Sequence, residues 1–238
     1  MRIGVVCEGE TDYLALKHFL GAELTRRKID TEFLMLQPTP DRSSGGGWGN
    51  VMGWLESNPP AARDVYFSSG LFEELDAKAN LNAILIHLDT DILPEESFVG
   101  YLKKKGYALS AFNTVDQKAI EISKVIGHFA QFPKLTPEKL SRHIPAPISE
   151  SSEAWCVAID GEHVGNAEEL TGQDLINAFG AALSRFKKTK PQQEYKKINK
   201  NIVQREAYCS GTAANVQNIH TCSLFLSLVN QLVNIKPV

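Results

Sequence analysis

Arg2–Leu20, RIGVVCEGETDYLALKHFL, and Asn82–Ile92, NAILIHLDTDI, decide how this chain folds. The first reads as a short buried strand, Ile3–Cys7, that ends in the carboxylate of Glu8 and passes through Gly9 into a helix. The second repeats the plan: a β-rich apolar run delivers Asp89 and Asp91 at its C-terminal end. In an open α/β sheet, ligands collect in the crevice beyond the carboxyl ends of the strands. Three carboxylates gathered there repel one another unless a cation lies between them, so a divalent metal site is expected. Mg²⁺ or Mn²⁺ suits such a set, because hard cations take carboxylate, water and phosphate oxygens. On an extended strand Asp89 and Asp91 point to the same side, and Glu8 completes the site or serves as a general base.

Outward from these stretches, strands and helices alternate. Thr11–Arg27 has helical spacing, Glu32–Leu36 reads as a strand, and residues 37–50 are a loop rich in Pro, Ser and Gly. Met52–Leu55 and Leu71–Ala79 read as helical pieces, Glu95–Lys105 as a helix, Ala108–Asn113 as a strand and Asp116–Phe129 as a helix. Phe132–Ser149, with four prolines, reads as a connection; 151–160 fits a strand or the start of a buried helix. Asp174–Phe186 and Asn218–Val233 close the chain as helices. The pattern predicts an α/β fold with a mostly parallel sheet flanked by helices. Residues 1–130 are expected to form the metal-binding domain, with 37–80 as an insertion, and 131–238 a helical, basic C-terminal extension.

Composition narrows the class. The 238 residues are 43% apolar, enough for a substantial core, and no apolar run approaches the length of a membrane span. The N-terminus enters a strand at once, without the features of a signal peptide, so a cytoplasmic protein is expected. The four cysteines are scattered and form no CxxC pair, which argues against a zinc knuckle or redox motif. A net charge of −3 hides a basic stretch, 185–205, with eight Lys and Arg against Glu194 alone. Lys196, Lys197, Lys200 and Arg205 are the expected phosphate contacts of a nucleic acid. Glu10 and Asp12 read as first-turn helix acids, with a direct metal role as the alternative. His87, on the same side of the strand as Asp89, reads as a satisfied core histidine, with support of the site as the alternative. Gly45-Gly46-Gly47 lacks the GK[ST] ending of a P-loop.

The EGxTD run Glu8–Asp12, a following helix and a later strand ending in Asp89-Thr90-Asp91 resemble the TOPRIM domain. That domain is the Rossmann-like metal-binding module of topoisomerases, bacterial primases, recombination-mediator proteins and OLD-family nucleases. Small stand-alone TOPRIM-like proteins of bacterial defence loci are the nearer likeness. They often carry an EAW segment after the DxD strand, similar to Glu153-Ala154-Trp155 here. The resemblance implies a Mg²⁺- or Mn²⁺-dependent nuclease of antiviral defence, with Glu8, Asp89 and Asp91 catalytic and Glu153 a further metal ligand. It also implies DNA or RNA as partner and, for any ATP dependence, a separate ATPase chain. The alternatives are a non-catalytic TOPRIM-fold adaptor and a small-nucleotide phosphohydrolase. The apolar closing helix suits a homodimer as well as the core.

Overall fold

The computed structural model describes residues 1–38, 46–68 and 80–235. The chain enters β1 (Arg2–Val6), then a helix built of α1 (Glu10–Ala15), a π-helical stretch Leu16–Leu20 and α2 (Gly21–Arg26). It returns as β2 (Glu32–Gln37), and α3 (Trp48–Ser57) and α4 (Pro60–Arg63) precede β3 (Ala83–Asp89). Next come α5 (Glu96–Lys104), α6 (Val115–Phe129), α7 (Pro137–Leu140) and β4 (His143–Ile148). The last elements are α8 (Glu153–Asp160), α9 (Gly172–Phe186), α10 (Ile202–Thr212) and α11 (Ser223–Val233).

The four strands form one parallel sheet in the order β2-β1-β3-β4. Strand order reverses at β1, so the crevice between the C-terminal ends of β1 and β3 is the switch point where such sheets bind ligands. Alternation along the strands divides the core into two layers. Ile3, Val5, Cys7, Ala83 and Leu85 pack with the layer that holds Phe19, Trp155, Phe179 and Phe225. Val6, Ile84, Ile86 and Leu88 pack with Val51, Phe98 and Ile126 on the other face. Gly4 is required by close approach: a Cβ there would lie 2.6 Å from methyl carbons of both Leu36 and Leu81.

Several sequence expectations change. His143–Ile148 is a strand and not a connection. The Ile84 amide donates to the Arg142 carbonyl at 2.8 Å, so 142, 144, 146 and 148 turn their backbone groups toward β3. Pro145 and Pro147 therefore face the free edge, where a missing N–H costs no ladder bond. Residues 108–113 form no strand; the Ser110 amide instead donates to buried Glu121 at 3.0 Å. Within 151–160, Glu153–Asp160 is helix, buried along most of its length. The end of the 37–50 loop is helical from Trp48, whereas 39–45, with Gly45, and the expected helix Leu71–Ala79 lie outside the described residues. No core boundary falls at residue 130: β4 pairs with β3, and Trp155 shares a cluster with Ile3 and Val5. In α11, Leu228, Val229 and Leu232 are buried in that same cluster. Among the described residues no helix is long and apolar enough to cross a membrane.

Two buried polar networks tie separate elements together. Glu168 accepts from Trp155 Nε1 at 3.1 Å and from the Leu224 and Phe225 amides at 3.1 and 3.3 Å, so it satisfies the start of α11. Arg63 is wholly buried and donates to the carbonyls of Asn58 and Ala130 and, at 3.0 Å, to His143 Nε2. His143 Nδ1 donates to the Lys139 carbonyl at 2.8 Å, so the imidazole is neutral and accepts from Arg63. Burial, joined by the charges of Arg63 and Arg142, pushes its pKa from 6.5 down to about 4.

Because the unfolded chain takes up that proton first, stability is full above pH 6.5 and declines as pH falls toward 4. The loss is expected to reach about 3 kcal/mol. Urea denaturation at pH 7 and pH 4.5 checks this, and His143→Gln, which still accepts from Arg63, should flatten the slope.

Candidate metal centre

β1 and β3 end side by side, and a cleft of about 370 Å³ opens beyond them. Glu8, Gly9, Asp12, Asp89, Gly46, Gly47 and Lys200 are among its walls. Glu8 is buried, and its Oε1 accepts from the Asp89 amide at 2.9 Å, which ties the two strand ends. Burial, and then the charge of Asp89, push the Glu8 carboxyl up to about 8. The Gly47 amide donates to the Glu8 carbonyl at 2.9 Å, so the far end of the glycine loop rests on this corner.

Asp12 sits in the first turn of α1, where helical side chains tilt back toward the N-terminus and thus into the cleft. Its Oδ1 accepts from Ser152 Oγ at 2.8 Å. His87 lies two residues before Asp89 on β3 and shares its face. His87 Nδ1 is 2.8 Å from the Ala146 carbonyl oxygen, which can only accept, so Nδ1 carries the proton. His87 Nε2 faces Asp89 Oδ1 at 3.1 Å. Neither of these two buried atoms makes a properly directed hydrogen bond. Asp12, His87 and Asp89 each offer a ligand atom within 4.8 Å of the others. Burial first, then the charges of Asp12, Asp91 and Glu153, hold the Asp89 carboxyl well above the usual carboxylate range.

The structure therefore brings together Glu8 and Asp89, as expected, with Asp12 and His87, which had been read as a helix-turn acid and a core histidine. Asp91 stands outside this group. β3 ends at Asp89 and the chain turns into the 3₁₀ segment Thr90–Ile92, so strand alternation no longer carries Asp91 to the same side. The Asp91 amide reaches back to the Glu150 carbonyl instead. Glu153 is buried at the start of α8 and ion-paired to Arg205. Burial, the largest single influence, works to raise its carboxyl, but Arg205, Ser151 and Lys200 together outweigh it and hold the carboxyl below the usual range.

The basic stretch divides in the same way. Arg205 is buried in α10, stacked 4.7 Å over the Phe179 ring and committed to Glu153, so it does not reach a phosphate as expected. Lys196 and Lys197 are exposed on irregular backbone. Lys200 lines the cleft itself. Partial burial works to lower its pKa, but the charges of Asp12, Glu153, Asp89 and Glu8 prevail and raise it. Tyr195 anchors this segment: its hydroxyl pairs with Ser184 Oγ at 2.7 Å, and a Cβ at Gly180 would come within 2.4 Å of its ring.

Arg205→Ala strands a buried carboxylate and is expected to cost about 3–5 kcal/mol. Joint replacement, Arg205→Met with Glu153→Leu, should recover most of that, whereas Lys196→Ala and Lys197→Ala should stay within about 0.5 kcal/mol of the parent in urea denaturation.

Comparison of the chain with protein-family models, with curated proteins and with solved structures finds no match to any of them.

Proposed function

We propose that this protein is a TOPRIM-like, metal-dependent nuclease that hydrolyses phosphodiester bonds. The observation that carries the reading is the buried pair His87 Nε2 and Asp89 Oδ1, both without a directed partner and both within 4.8 Å of a carboxylate oxygen of Asp12, which lines the switch-point cleft with Asp89. Among the described residues Ser151 Oγ and Arg205 Nε also lack a directed partner, but His87 Nε2 and Asp89 Oδ1 face each other beside a third ligand atom, that of Asp12, and this supports a missing cation. Asp12, His87 and Asp89 would hold the metal, Mg²⁺ or Mn²⁺ on the resemblance to TOPRIM. When bound, it would polarise the scissile phosphate and supply an activated water.

The chain's own groups complete the chemistry. Glu8, tied to the Asp89 amide beside the ligand set, would take the proton of the attacking water. Lys200 places an ammonium beside the carboxylates, where the transferred phosphate would carry its charge. Lys196 and Lys197, exposed a few residues away, would follow the nucleic-acid backbone. A role in bacterial antiviral defence, in the cytoplasm, and any ATPase partner chain rest on the resemblance alone.

One observation favours a second reading. Arg205 neutralises Glu153, and Lys200 already stands among the remaining acids. A non-catalytic TOPRIM-fold adaptor would use such internal compensation in place of a metal.

Labelled single- and double-stranded DNA and RNA, together with small nucleotides, incubated with Mg²⁺, Mn²⁺ or EDTA separate the readings. Nuclease activity should need the metal and fall at least about 100-fold in Asp89→Asn. Glu8→Gln, which still accepts from the Asp89 amide, should lose about 10²–10⁴. Absence of cleavage by folded protein on every substrate would transfer the reading to the adaptor.

A further inference from the structure

We propose that the Asp12–His87–Asp89 site is a mixed nitrogen–oxygen site that selects a first-row transition ion over Mg²⁺, with His87 Nε2 as a direct ligand. This rests on the metal reading above but not on the nuclease reading. It departs from the all-carboxylate DxD set that the sequence suggested.

The argument starts from the proton on His87. A backbone carbonyl has no proton to give, so the 2.8 Å contact to Ala146 fixes Nδ1 as the donor. In the neutral ring Nε2 then carries a lone pair. That lone pair lies 3.1 Å from a carboxylate oxygen, in a place where neither atom is reached by solvent. Two such buried atoms need a proton or a cation between or beside them, and Asp12 at the cleft completes a set of ligand atoms that a cation can fill. A hydrogen bond from one ring nitrogen to a backbone carbonyl is also what orients a metal-bound imidazole and sets its tautomer.

The remaining ligands are placed with similar care. Ser152 Oγ donates to Asp12 Oδ1 at 2.8 Å, and Arg205 Nη1 lies 3.5 Å from that hydroxyl. Asp12 is thus held from the far side, with its other oxygen free to turn toward the cleft. Asp89 is fixed through its own amide by Glu8. The set is one imidazole and two carboxylates, with the cleft side open for water or substrate.

Ligand chemistry then chooses the ion. Mg²⁺ demands oxygen in near-octahedral geometry and gives up its waters reluctantly. Imidazole is a poor ligand for it but a good one for iron, cobalt, nickel and zinc, and is accepted by manganese. A wholly buried histidine nitrogen aimed into the site therefore favours the transition ions and discriminates against Mg²⁺. Lys200 at the rim adds to this, since it lowers the net negative charge on which a weakly binding hard ion depends.

The test uses the full chain and Mn²⁺ as the probe, read by electron paramagnetic resonance with electron-spin-echo detection of nitrogen coupling. One Mn²⁺ should bind with a ¹⁴N modulation. Mg²⁺ should displace it only at an excess of about 100-fold or more. In His87→Gln the modulation should vanish and Mn²⁺ affinity should fall at least about 10-fold. Because removal of the buried imidazole can unfold the protein, the near-isosteric Asp12→Asn in the cleft wall is the second variant. It should keep the nitrogen modulation while binding Mn²⁺ at least about 10-fold more weakly.

Mn²⁺ bound without nitrogen coupling, or displaced by equimolar Mg²⁺, would overturn the proposal and leave an oxygen-only metal site standing. Coupling that survives His87→Gln would assign the ion to another histidine and overturn it too, as would unchanged affinity in Asp12→Asn. If no Mn²⁺ binds at all, this proposal and the metal reading fall together.

Discussion

The constraint on which the structure depends is the burial of carboxylates at one edge of the sheet. Parallel strands covered on both faces end in a crevice, and β1 and β3 each end there in an acid. Removing a carboxylate from water is costly unless hydrogen bonds and opposite charge replace the solvent. The Glu8 carboxylate meets part of that need from the Asp89 backbone, so the first tie in the site is also a tie between neighbouring strands.

The remaining compensation arrives from far along the chain. Ser152 reaches Asp12, Arg205 reaches Glu153, and Lys200 reaches the cleft, all from beyond residue 150. The C-terminal half is therefore part of the site and of the core, with Trp155, Tyr208 and Phe225 in the same apolar layer as β1. The helical run α8 to α11 both covers the sheet and supplies the counter-charges. This couples folding of the chain's second half to the electrostatic state of its first.

Buried polar groups elsewhere show what full satisfaction looks like. Arg63 has three acceptors and no carboxylate, and Glu168 has donors from a side chain and from the start of a helix. Both join separate elements of the fold. His87 and Asp89 differ: they are as deeply placed, yet their facing atoms are left without directed partners. That contrast separates polar groups that serve packing from those arranged around something else.

The α/β class, the strands β1, β2 and β3 and most helices were legible because buried parallel strands are short apolar runs and helices carry a 3.6-residue period. The acids Glu8 and Asp89 were legible because each follows such a run directly. β4 was hidden by Pro145 and Pro147, which read as breakers until the pairing shows them on a free edge. Strand alternation does not extend to Asp91, because nothing local announces that β3 turns into a 3₁₀ segment at Thr90. Sequence proximity put Lys200 and Arg205 in one basic patch, yet one enters the cleft and the other is buried against Glu153. His87 shares a strand face with Asp89 by alternation, but only tertiary structure brings Asp12 to the pair. Periodicity and strand ends are local properties, which the sequence determines alone. Which charges meet is decided by packing between elements far apart in the chain, and no local pattern encodes that.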